Sequence, residues 1–209
     1  MRKAGAAHTA RKAVFLDRDG VLNRPVLNPA TGEYESPHRP DDLELYPWTT
    51  RALTALADMG YMLFLISNQP SFAKGKASLE DLDAVHEKLH RLLTAAGISF
   101  AEYYYCHHHP EGVVPGYSGA CLCRKPGTLF LSKAREAHDF SVRTSWLIGD
   151  RDSDIACGSS FGFRTILINE AHSSNKRGMS RPDFQAENLE DAVRIIVEAT
   201  AQGEQERVP

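Results

Sequence analysis

The 209-residue sequence has little that would place it in a membrane or on an export route. Its longest apolar run, residues 61–66, is far too short to cross a bilayer. The N-terminus is basic, but only residues 13–16 follow it as an apolar stretch, so we expect no signal peptide. We therefore expect a cytoplasmic protein with no membrane partner.

The chain also lacks an excess of charge of either sign, internal repeats and a recognisable linker. Its formal net charge of −3 gives no reason to expect a nucleic acid or an anionic surface as partner. An acidic substrate would have to be held by local cations. The length suits one domain. We expect a monomer with a single domain over 1–209, a core over about 13–200, and disordered ends at 1–11 and 202–209.

Cysteine is scarce, with four residues, at positions 106, 121, 123 and 157. Three of them crowd into one short segment. In a chain without an export signal, this favours a metal site over a disulfide framework. Cys157 stands apart on a predicted helix, where we expect it to be a small buried residue.

The zinc loop, residues 106–123, begins Cys-His-His-His-Pro and closes with Cys-Leu-Cys. Three thiolates and one imidazole are a suitable ligand set for tetrahedral Zn²⁺. Ligands at alternate positions of an extended chain can face the same ion. Because protein would fill all four positions, the zinc would be structural. From chemistry alone, His107, His108 or His109 could be the fourth ligand.

Short β-branched and aromatic runs alternate with helical patterns along the chain. This alternation predicts an α/β fold, a Rossmann-like, mainly parallel sheet with helices on both faces. One helix should begin at Ser78, whose side chain can cap it while Asp81, three residues later, forms the reciprocal capping bond. This helix should stop at Gly97. The predicted strands are 13–17, 61–67, 103–106, 145–149 and 165–168, and the other predicted helices are 48–59, 127–138, 154–161 and 189–200.

Polar residues follow several of these strands, and ligands of such sheets bind beyond the carboxyl ends of the strands. Asp17 and Asp19 follow the first strand and Asp150 follows the fourth. Ser67 ends the second strand, with Asn68 and Gln69 after it, and Arg124 and Lys125 lead into a helix. Taken singly, each motif has a simpler interpretation. The aspartates at 17 and 19 could form a surface turn, and the residues from Ser67 could begin a loop. The basic pair at 124–125 could be solvated, and Asp150 could belong to an acidic first helical turn. Together they indicate one site.

The chemistry that these side chains would support is phosphoryl transfer. The Asp17 carboxylate could attack phosphorus and form an aspartyl phosphate, while Asp19 protonates the leaving oxygen and later deprotonates water. Lys125 offers a compact cation and Arg124 a bidentate fork for the phosphoryl oxygens. Asp150 could join Asp17 in binding Mg²⁺, which prefers oxygen ligands.

In this order, the motifs resemble those of the haloacid-dehalogenase-like phosphotransferase superfamily. The resemblance implies that Asp17 is the nucleophile and Asp19 the general acid/base, with Ser67 and Lys125 stabilising the phosphoryl group. It implies Mg²⁺ ligation by Asp17, the Asp19 carbonyl and Asp150, supported by Asp154. The stretches that could hold a cap are short. We therefore expect no large cap domain, and a cavity shaped by the zinc loop and by residues 32–40, the flap.

A closer resemblance, over about residues 13–170, is to the bacterial D-glycero-D-manno-heptose-1,7-bisphosphate 7-phosphatases. It is carried by Cys-x-His-x12-Cys-x-Cys-Arg-Lys-Pro, Phe-Leu-Asp-Arg-Asp-Gly and His-His-Pro-Glu-Gly. It implies a sugar bisphosphate as substrate, and it also implies which residues bind zinc and which contact the substrate. The zinc ligands would be Cys106, His108, Cys121 and Cys123, and the substrate contacts Ser67, Asn68, Gln69, Arg124, Lys125 and Arg151.

The sequence departs from this family where Thr-Asn-Gln-Ser-Gly is usual and Ser-Asn-Gln-Pro-Ser stands here, at 67–71. Proline removes a backbone donor and stiffens the loop, which leaves the exact sugar and its anomer open. Histidinol-phosphate phosphatases, with a generally shorter zinc loop, are the next alternative. A polynucleotide 3′-phosphatase would need a basic stripe. If the protein were a non-catalytic interaction module stabilised by zinc, all four motifs would have to be remnants of a catalytic function that has been lost.

Overall fold

Residues 11–205 are described by a computed structural model of the chain. Six strands form one sheet in the order β5-β4-β1-β6-β7-β8, and every neighbouring pair is parallel. A separate antiparallel hairpin pairs β2 with β3. In chain order the strands are β1 (Lys12–Leu16), β2 (Val26–Leu27), β3 (Tyr34–Glu35), β4 (Tyr61–Asn68), β5 (Glu102–Cys106), β6 (Trp146–Gly149), β7 (Arg164–Ile168) and β8 (Phe184–Ala186).

Within residues 11–205, five α-helices cover the two faces of the sheet. They are α1 (Thr49–Asp58), α2 (Leu79–Ala95), α3 (Leu129–Ala137), α4 (Asp152–Phe161) and α5 (Leu189–Gln205). Short 3₁₀ helices lie at Pro40–Asp42, Val142–Thr144 and Ala171–Lys176. The predicted mainly parallel α/β sheet with helices on both faces is confirmed.

The central strand β1 divides the core into two halves because successive side chains of a strand point to opposite faces. Val14 and Leu16 belong to the larger half, which packs against α1, α2 and α5. Ala13 and Phe15 belong to the smaller half, which contacts α3 and α4. All four side chains are fully buried, as expected for a strand covered on both faces.

Aromatic rings dominate the smaller half of the core. Phe15 stacks on Phe64 with ring centroids 4.5 Å apart and on Phe163 at 5.1 Å, while Phe140 meets it edge-on at 5.7 Å. Each such pair adds about 0.5–1.5 kcal/mol beyond the area that it buries. Cys157 is fully buried in this half of the core, as its isolated position on a helix predicted.

The ends of the helices follow local side-chain chemistry. Ser78 caps α2 with the predicted reciprocal bonds to Asp81. Helix α4 begins at Asp152, two residues before the predicted start, because the Asp154 carboxylate accepts from the N–H of Arg151 at 3.0 Å and so caps the earlier turn. Strand β8 and the β2–β3 hairpin were not predicted, since runs of two or three residues show no periodicity.

The predicted disordered ends lie largely outside the described residues, at 1–10 and 206–209. Where they overlap the described part, the prediction is wrong. Arg11 forms a β-bridge with Phe140, and helix α5 runs to Gln205.

The connections at the carboxyl edge of the sheet carry small elements in place of a cap. Residues 17–48 contain only the hairpin and one 3₁₀ turn, and the zinc loop follows β5. Over residues 11–205, then, no large cap covers this edge, as predicted. Within the same described range, no helix is long and apolar enough to cross a membrane.

Candidate active site

Three adjacent strands end at the same place and bring the predicted site residues together. Strand β1 lies between β4 and β6, so Asp17, directly after β1, is flanked by Ser67 of β4 and by Asp150 after β6. The Ser67 hydroxyl donates to Asp17 Oδ1 at 2.7 Å, and the backbone N–H of Arg18 donates to the same oxygen at 2.7 Å. The sequence motifs thus meet in one buried cluster.

Lys125 reaches this cluster from the loop before α3. Its ammonium group lies 3.0 Å from Asp17 Oδ1 and 2.6 Å from Asp154 Oδ1, and it donates to the carbonyl of Ile66 at 2.7 Å. Burial alone would lower the pKa of Lys125, but Asp154 and Asp17 outweigh it and raise that pKa. Lys125 is therefore a fixed cation beside the Asp17 carboxylate.

The second aspartate, Asp19, is held by five donors. The Arg18 Nε donates to its Oδ1 at 3.0 Å and the Arg18 Nη2 to its Oδ2 at 3.2 Å. Asn23 adds a bond to Oδ1 at 2.9 Å, and Gln69 and Ser36 add bonds to Oδ2 at 2.7 Å each. Burial alone would raise the pKa of Asp19, but the Arg18 guanidinium and these hydrogen bonds hold it well below its usual range.

Asp150 stands in a carboxylate cluster. Ligand oxygens of Asp17, Asp150 and Asp154 all lie within 4.8 Å of one another. Ser173 donates to Asp150 Oδ2, whereas the buried Oδ1 has no hydrogen-bond partner within residues 11–205. Burial is the main cause that raises the pKa of Asp150 to about 7; Arg151 partly offsets it, and Asp154 and Asp17 add to it. Three carboxylates with an unused oxygen form a donor set that suits a hard divalent cation.

A cavity of about 430 Å³ opens above this cluster. The flap supplies one wall, and its Tyr34 ring stacks on His172 with centroids 3.6 Å apart. Two acidic side chains, Glu33 and Glu35, face six basic ones. The basic residues are Lys74, Lys76, Arg124, Lys125, Arg151 and Lys176. The excess of cations suits an anionic ligand, although the whole chain is slightly acidic.

The predicted substrate contacts divide into two groups. Arg124, Lys125, Arg151 and Asn68 line the cavity, although the Asn68 amide is bound to the backbone of Lys125. Ser67 and Gln69 form the second group, since each is only 1% exposed and, among the described residues, neither is part of the cavity lining. Ser67 donates to Asp17 Oδ1, and Gln69 is turned away from the cavity. Its backbone N–H bonds the carbonyl of Cys106 at 2.7 Å, which turns its side chain inward to Asp19.

The zinc loop gathers the four side chains that the resemblance implied. The three Sγ atoms of Cys106, Cys121 and Cys123 lie 3.2–3.6 Å apart. His108 Nδ1 lies 3.5 Å from the Cys123 Sγ and 3.8 Å from the Cys106 Sγ. A disulfide needs about 2.05 Å, whereas tetrahedral zinc with Zn–S bonds of about 2.3 Å sets its ligand atoms about 3.8 Å apart.

The neighbouring histidines make other contacts. His107 bonds the carbonyl of Gln69 at 3.2 Å, and His109 Nδ1 accepts from the N–H of Glu111 at 3.1 Å. His109 also lines the cavity. The Arg124 guanidinium donates to the carbonyl of His108 at 3.3 Å. The loop thereby fixes one of the cavity's cations.

Sequence reasoning missed several residues of the site. Arg18 is 1% exposed and contacts both catalytic candidates; its place between two site aspartates was a usable signal. Ser36 in the flap and Ser173 in the 3₁₀ turn after β7 bond Asp19 and Asp150. No pattern marks these two serines, because their position depends on the path of their loops.

Comparison with known proteins shows the class to which the fold belongs. The HAD-hydrolase-like family model matches residues 122–192. A solved D,D-heptose 1,7-bisphosphate phosphatase from B. bronchiseptica, complexed with magnesium and phosphate, has a TM-score of 0.72 at 24% identity, covering 90% of this chain and 99% of that one. The fold and the site define a haloacid-dehalogenase-like phosphatase.

Two curated relatives show to which family of haloacid-dehalogenase-like phosphatases the chain belongs. The D-glycero-D-manno-heptose-1,7-bisphosphate 7-phosphatase of Thermosynechococcus vestitus is 36% identical, over 89% of this chain and 95% of the relative. The D-glycero-alpha-D-manno-heptose-1,7-bisphosphate 7-phosphatase of Photorhabdus laumondii is 31% identical, over 81% of this chain and 88% of the relative. The chain belongs to the heptose-1,7-bisphosphate 7-phosphatase family, as the resemblance predicted, and is a phosphoric monoester hydrolase.

Proposed function

We propose that the protein removes the 7-phosphate of D-glycero-D-manno-heptose 1,7-bisphosphate through an aspartyl-phosphate intermediate. One observation carries the proposal: Asp17 lies in contact with Lys125, and Lys125 lines a cavity rich in cations. An anionic substrate drawn into this cavity meets a carboxylate nucleophile beside a fixed positive charge. The relatives named above act on this heptose bisphosphate.

In the first half-reaction, an oxygen of Asp17 attacks the phosphorus of the 7-phosphate. The new oxygen–phosphorus bond forms as the bond from phosphorus to the sugar oxygen breaks. Because Asp19 rests as a carboxylate, it takes the proton of the monoanionic 7-phosphate and passes it to that oxygen, so the sugar leaves as an alcohol. Ser67 and the Arg18 N–H hold the nucleophile in place at 2.7 Å each, and Lys125 offsets charge on the phosphoryl oxygens.

In the second half-reaction, water attacks the phosphorus of the aspartyl phosphate. Asp19, again ionised, takes the proton of this water and returns it to the departing inorganic phosphate as the bond between phosphorus and Asp17 breaks. The two carboxylates therefore end the cycle in the states in which they began. The absence of a large cap over residues 11–205 leaves the cavity open for a sugar.

The residues fit Mg²⁺ as the resident cation. Its ligands would be the carboxylates of Asp17 and Asp150 and the carbonyl of Asp19, with Asp154 holding Lys125 beside them. The buried, unpartnered Oδ1 of Asp150 and the three clustered carboxylates support this assignment. When bound, the ion neutralises charge that develops on the phosphoryl group.

We further propose that the zinc loop holds one structural Zn²⁺ through Cys106, His108, Cys121 and Cys123. The distances among their ligand atoms, 3.2–3.8 Å, support tetrahedral binding. Since protein atoms fill all four positions, the ion would fold the loop and place Arg124 and His109 at the cavity.

The distribution of cations favours a bisphosphate over a monophosphate. Lys125 lies beside the nucleophile, and the same cavity is lined by Arg124, Lys74, Lys76 and Lys176. Lys76 is ion-paired with Glu35. We assign the second phosphate to Lys74 and Lys176. A substrate with one phosphate and an amine, such as histidinol phosphate, would place its amine among these cations.

The test is phosphate release with Mg²⁺ from heptose 1,7-bisphosphate and from histidinol phosphate. We expect kcat/KM at least about tenfold higher for the bisphosphate, because each phosphate contributes charge-assisted hydrogen bonds. Asp17→Asn should abolish turnover of both, and Asp58→Asn, an exposed aspartate at the end of α1, should not. Preference for histidinol phosphate would overturn the assignment of the heptose bisphosphate as substrate. Full activity of Asp17→Asn would overturn the assignment of Asp17 as the nucleophile.

A further inference from the structure

The fully buried guanidinium of Arg18 is not used by the two half-reactions described above. Its side chain is 1% exposed and lies between Asp19, Gln69 and Tyr105. Removing a guanidinium from water costs several kcal/mol, and replacing a buried ion pair by apolar side chains is often neutral or stabilising. Stability of the fold is therefore a weak reason for this charge to be here.

The contacts of Arg18 converge on Asp19. Nε and Nη2 each donate to a different carboxylate oxygen, at 3.0 and 3.2 Å, so the fork fixes the plane of the carboxylate. Nη2 also donates to Gln69 Oε1 at 2.8 Å, and the amide nitrogen of Gln69 donates to Asp19 Oδ2 at 2.7 Å. Three side chains thus form a closed ring, which prevents rotation of the Asp19 carboxylate.

This ring places the carboxylate against the cavity wall. Ser36 lines the cavity and donates to Asp19 Oδ2 at 2.7 Å. The far side of Arg18 faces the Tyr105 ring, 5.9 Å from the guanidinium carbon, and the Tyr105 hydroxyl lies 3.0 Å from His86 Nδ1 on α2. The guanidinium is thus anchored on both sides, and its own backbone N–H holds the nucleophile Asp17.

We infer that Arg18 is a positioning residue that fixes the orientation in which Asp19 transfers its proton. The inference rests on the proposed function, in which Asp19 is the general acid/base. Lysine could replace the charge of Arg18 but not its fork, because an ammonium is a point donor. The consequence of losing Arg18 should therefore fall on proton transfer, while phosphate binding and attack by Asp17 persist.

Two substrates separate these effects. The heptose oxygen needs a proton to leave, whereas the nitrophenolate of p-nitrophenyl phosphate departs without one. For both substrates kcat/KM covers only the steps up to release of the first product, so water attack on the aspartyl phosphate does not enter. We expect Arg18→Met to lower kcat/KM for the heptose bisphosphate about 100-fold. For p-nitrophenyl phosphate the change should stay below about threefold.

Three further variants make the result decisive. Arg18→Lys should keep the selective loss on the heptose substrate, and it serves if Arg18→Met fails to fold. Arg24→Met removes an exposed arginine that pairs with Glu44 and should change neither substrate. Asp19→Asn is the reference variant, because it should also lower kcat/KM for the heptose bisphosphate much more than for p-nitrophenyl phosphate.

The outcomes distinguish the two claims. If Asp19→Asn shows no selective loss on the heptose substrate, the acid assignment falls, and this inference with it. If Asp19→Asn shows the loss but Arg18→Lys retains wild-type kcat/KM, or loses both substrates equally, Arg18 is not a positioning residue. A second readout needs no aryl substrate: kcat for the heptose bisphosphate should fall in Arg18→Lys while KM stays within about threefold.

Discussion

Asn68 holds the backbone of Lys125 with both ends of its amide. Its Nδ2 donates to the carbonyl of Lys125 at 3.1 Å, and its Oδ1 accepts from the N–H of Lys125 at 3.0 Å. The two residues are far apart in the chain, and this pair joins the end of β4 to the loop before α3. The position of the Lys125 ammonium, and with it the environment of Asp17, depends on this joint.

Asn68→Ala should therefore lower activity more than its effect on stability explains. Two lost hydrogen bonds at a buried backbone cost about 1–3 kcal/mol of unfolding free energy, and we expect kcat to fall at least about tenfold as Lys125 loosens. The control is Asn188→Ala, which removes a cap of α5, where Asn188 Oδ1 accepts from the N–H of Asp191 at 3.0 Å. It should cost about 1 kcal/mol with kcat unchanged. Equal kcat in both variants would refute the role of this joint.

Gly20 is the point where the chain turns closely past Asp150. Its φ is +87°, and a Cβ there would lie 2.5 Å from Asp150 Oδ2. Gly20→Ala should displace the Asp150 carboxylate, and we expect the Mg²⁺ concentration for half-maximal activity to rise at least about tenfold because one ligand is misplaced. Gly32→Ala is the matched control: its φ is +70° and nothing lies within 4 Å of the added Cβ.

Both glycine variants carry the left-handed backbone cost of about 1 kcal/mol, so their difference isolates the collision with Asp150. Titration of activity with Mg²⁺ measures it. If the two variants needed the same Mg²⁺ concentration, the proposed role of Asp150 as a ligand would lose its support.

The sequence was most informative where side chains follow directly from strands. Asp17, Ser67 and Asp150 were predicted to meet because parallel strands end at one edge of a sheet, and the structure brings them together. The same rule does not say which way a side chain points once the strand has ended. Gln69 was assigned to substrate, yet its backbone bond to Cys106 turns it inward to Asp19.

Residues contributed by irregular loops could not be predicted in this way. Ser36 and Ser173 reach Asp19 and Asp150 from the flap and from a 3₁₀ turn, whose paths depend on tertiary packing rather than on any local period. Strand β8 (Phe184–Ala186) was missed for a related reason. Its three residues pair with β7, but three residues are too few to show an alternating pattern.

The Asp150 carboxylate should make the stability of the Mg²⁺-free protein depend on pH. Burial above all raises the pKa of Asp150 to about 7 in the folded chain, against about 3.9 when unfolded. Because the folded pKa is higher, the contribution of Asp150 is complete below about pH 4 and is lost as pH rises through about 7. Mg²⁺ competes with that proton, so it should raise the thermal midpoint more at pH 8 than at pH 5.5.

The measurement is thermal unfolding in Mg²⁺-free buffer and with Mg²⁺ at both pH values, without chelator so that the zinc loop stays intact. Asp150→Asn keeps the shape of the side chain and removes the titration. In this variant the difference between the two pH values should shrink and Mg²⁺ should have little effect. An Asp150→Asn profile that overlays the wild type would show that another group controls the pH response.

Cys121→Ser should separate the zinc loop from the Mg²⁺ site. We expect the zinc content, measured by elemental analysis, to fall from about one atom per chain to near zero, because a tetrahedral structural site needs all four ligands. The loop would loosen and Arg124, which donates to the carbonyl of His108 at 3.3 Å, would lose its support, so KM should rise while the Mg²⁺ requirement stays the same. Cys157→Ser is the control, since this buried thiol lies outside the cluster, 3.4 Å from the Gly127 carbonyl, and should leave zinc bound. A full zinc complement in Cys121→Ser would exclude the proposed ligand set.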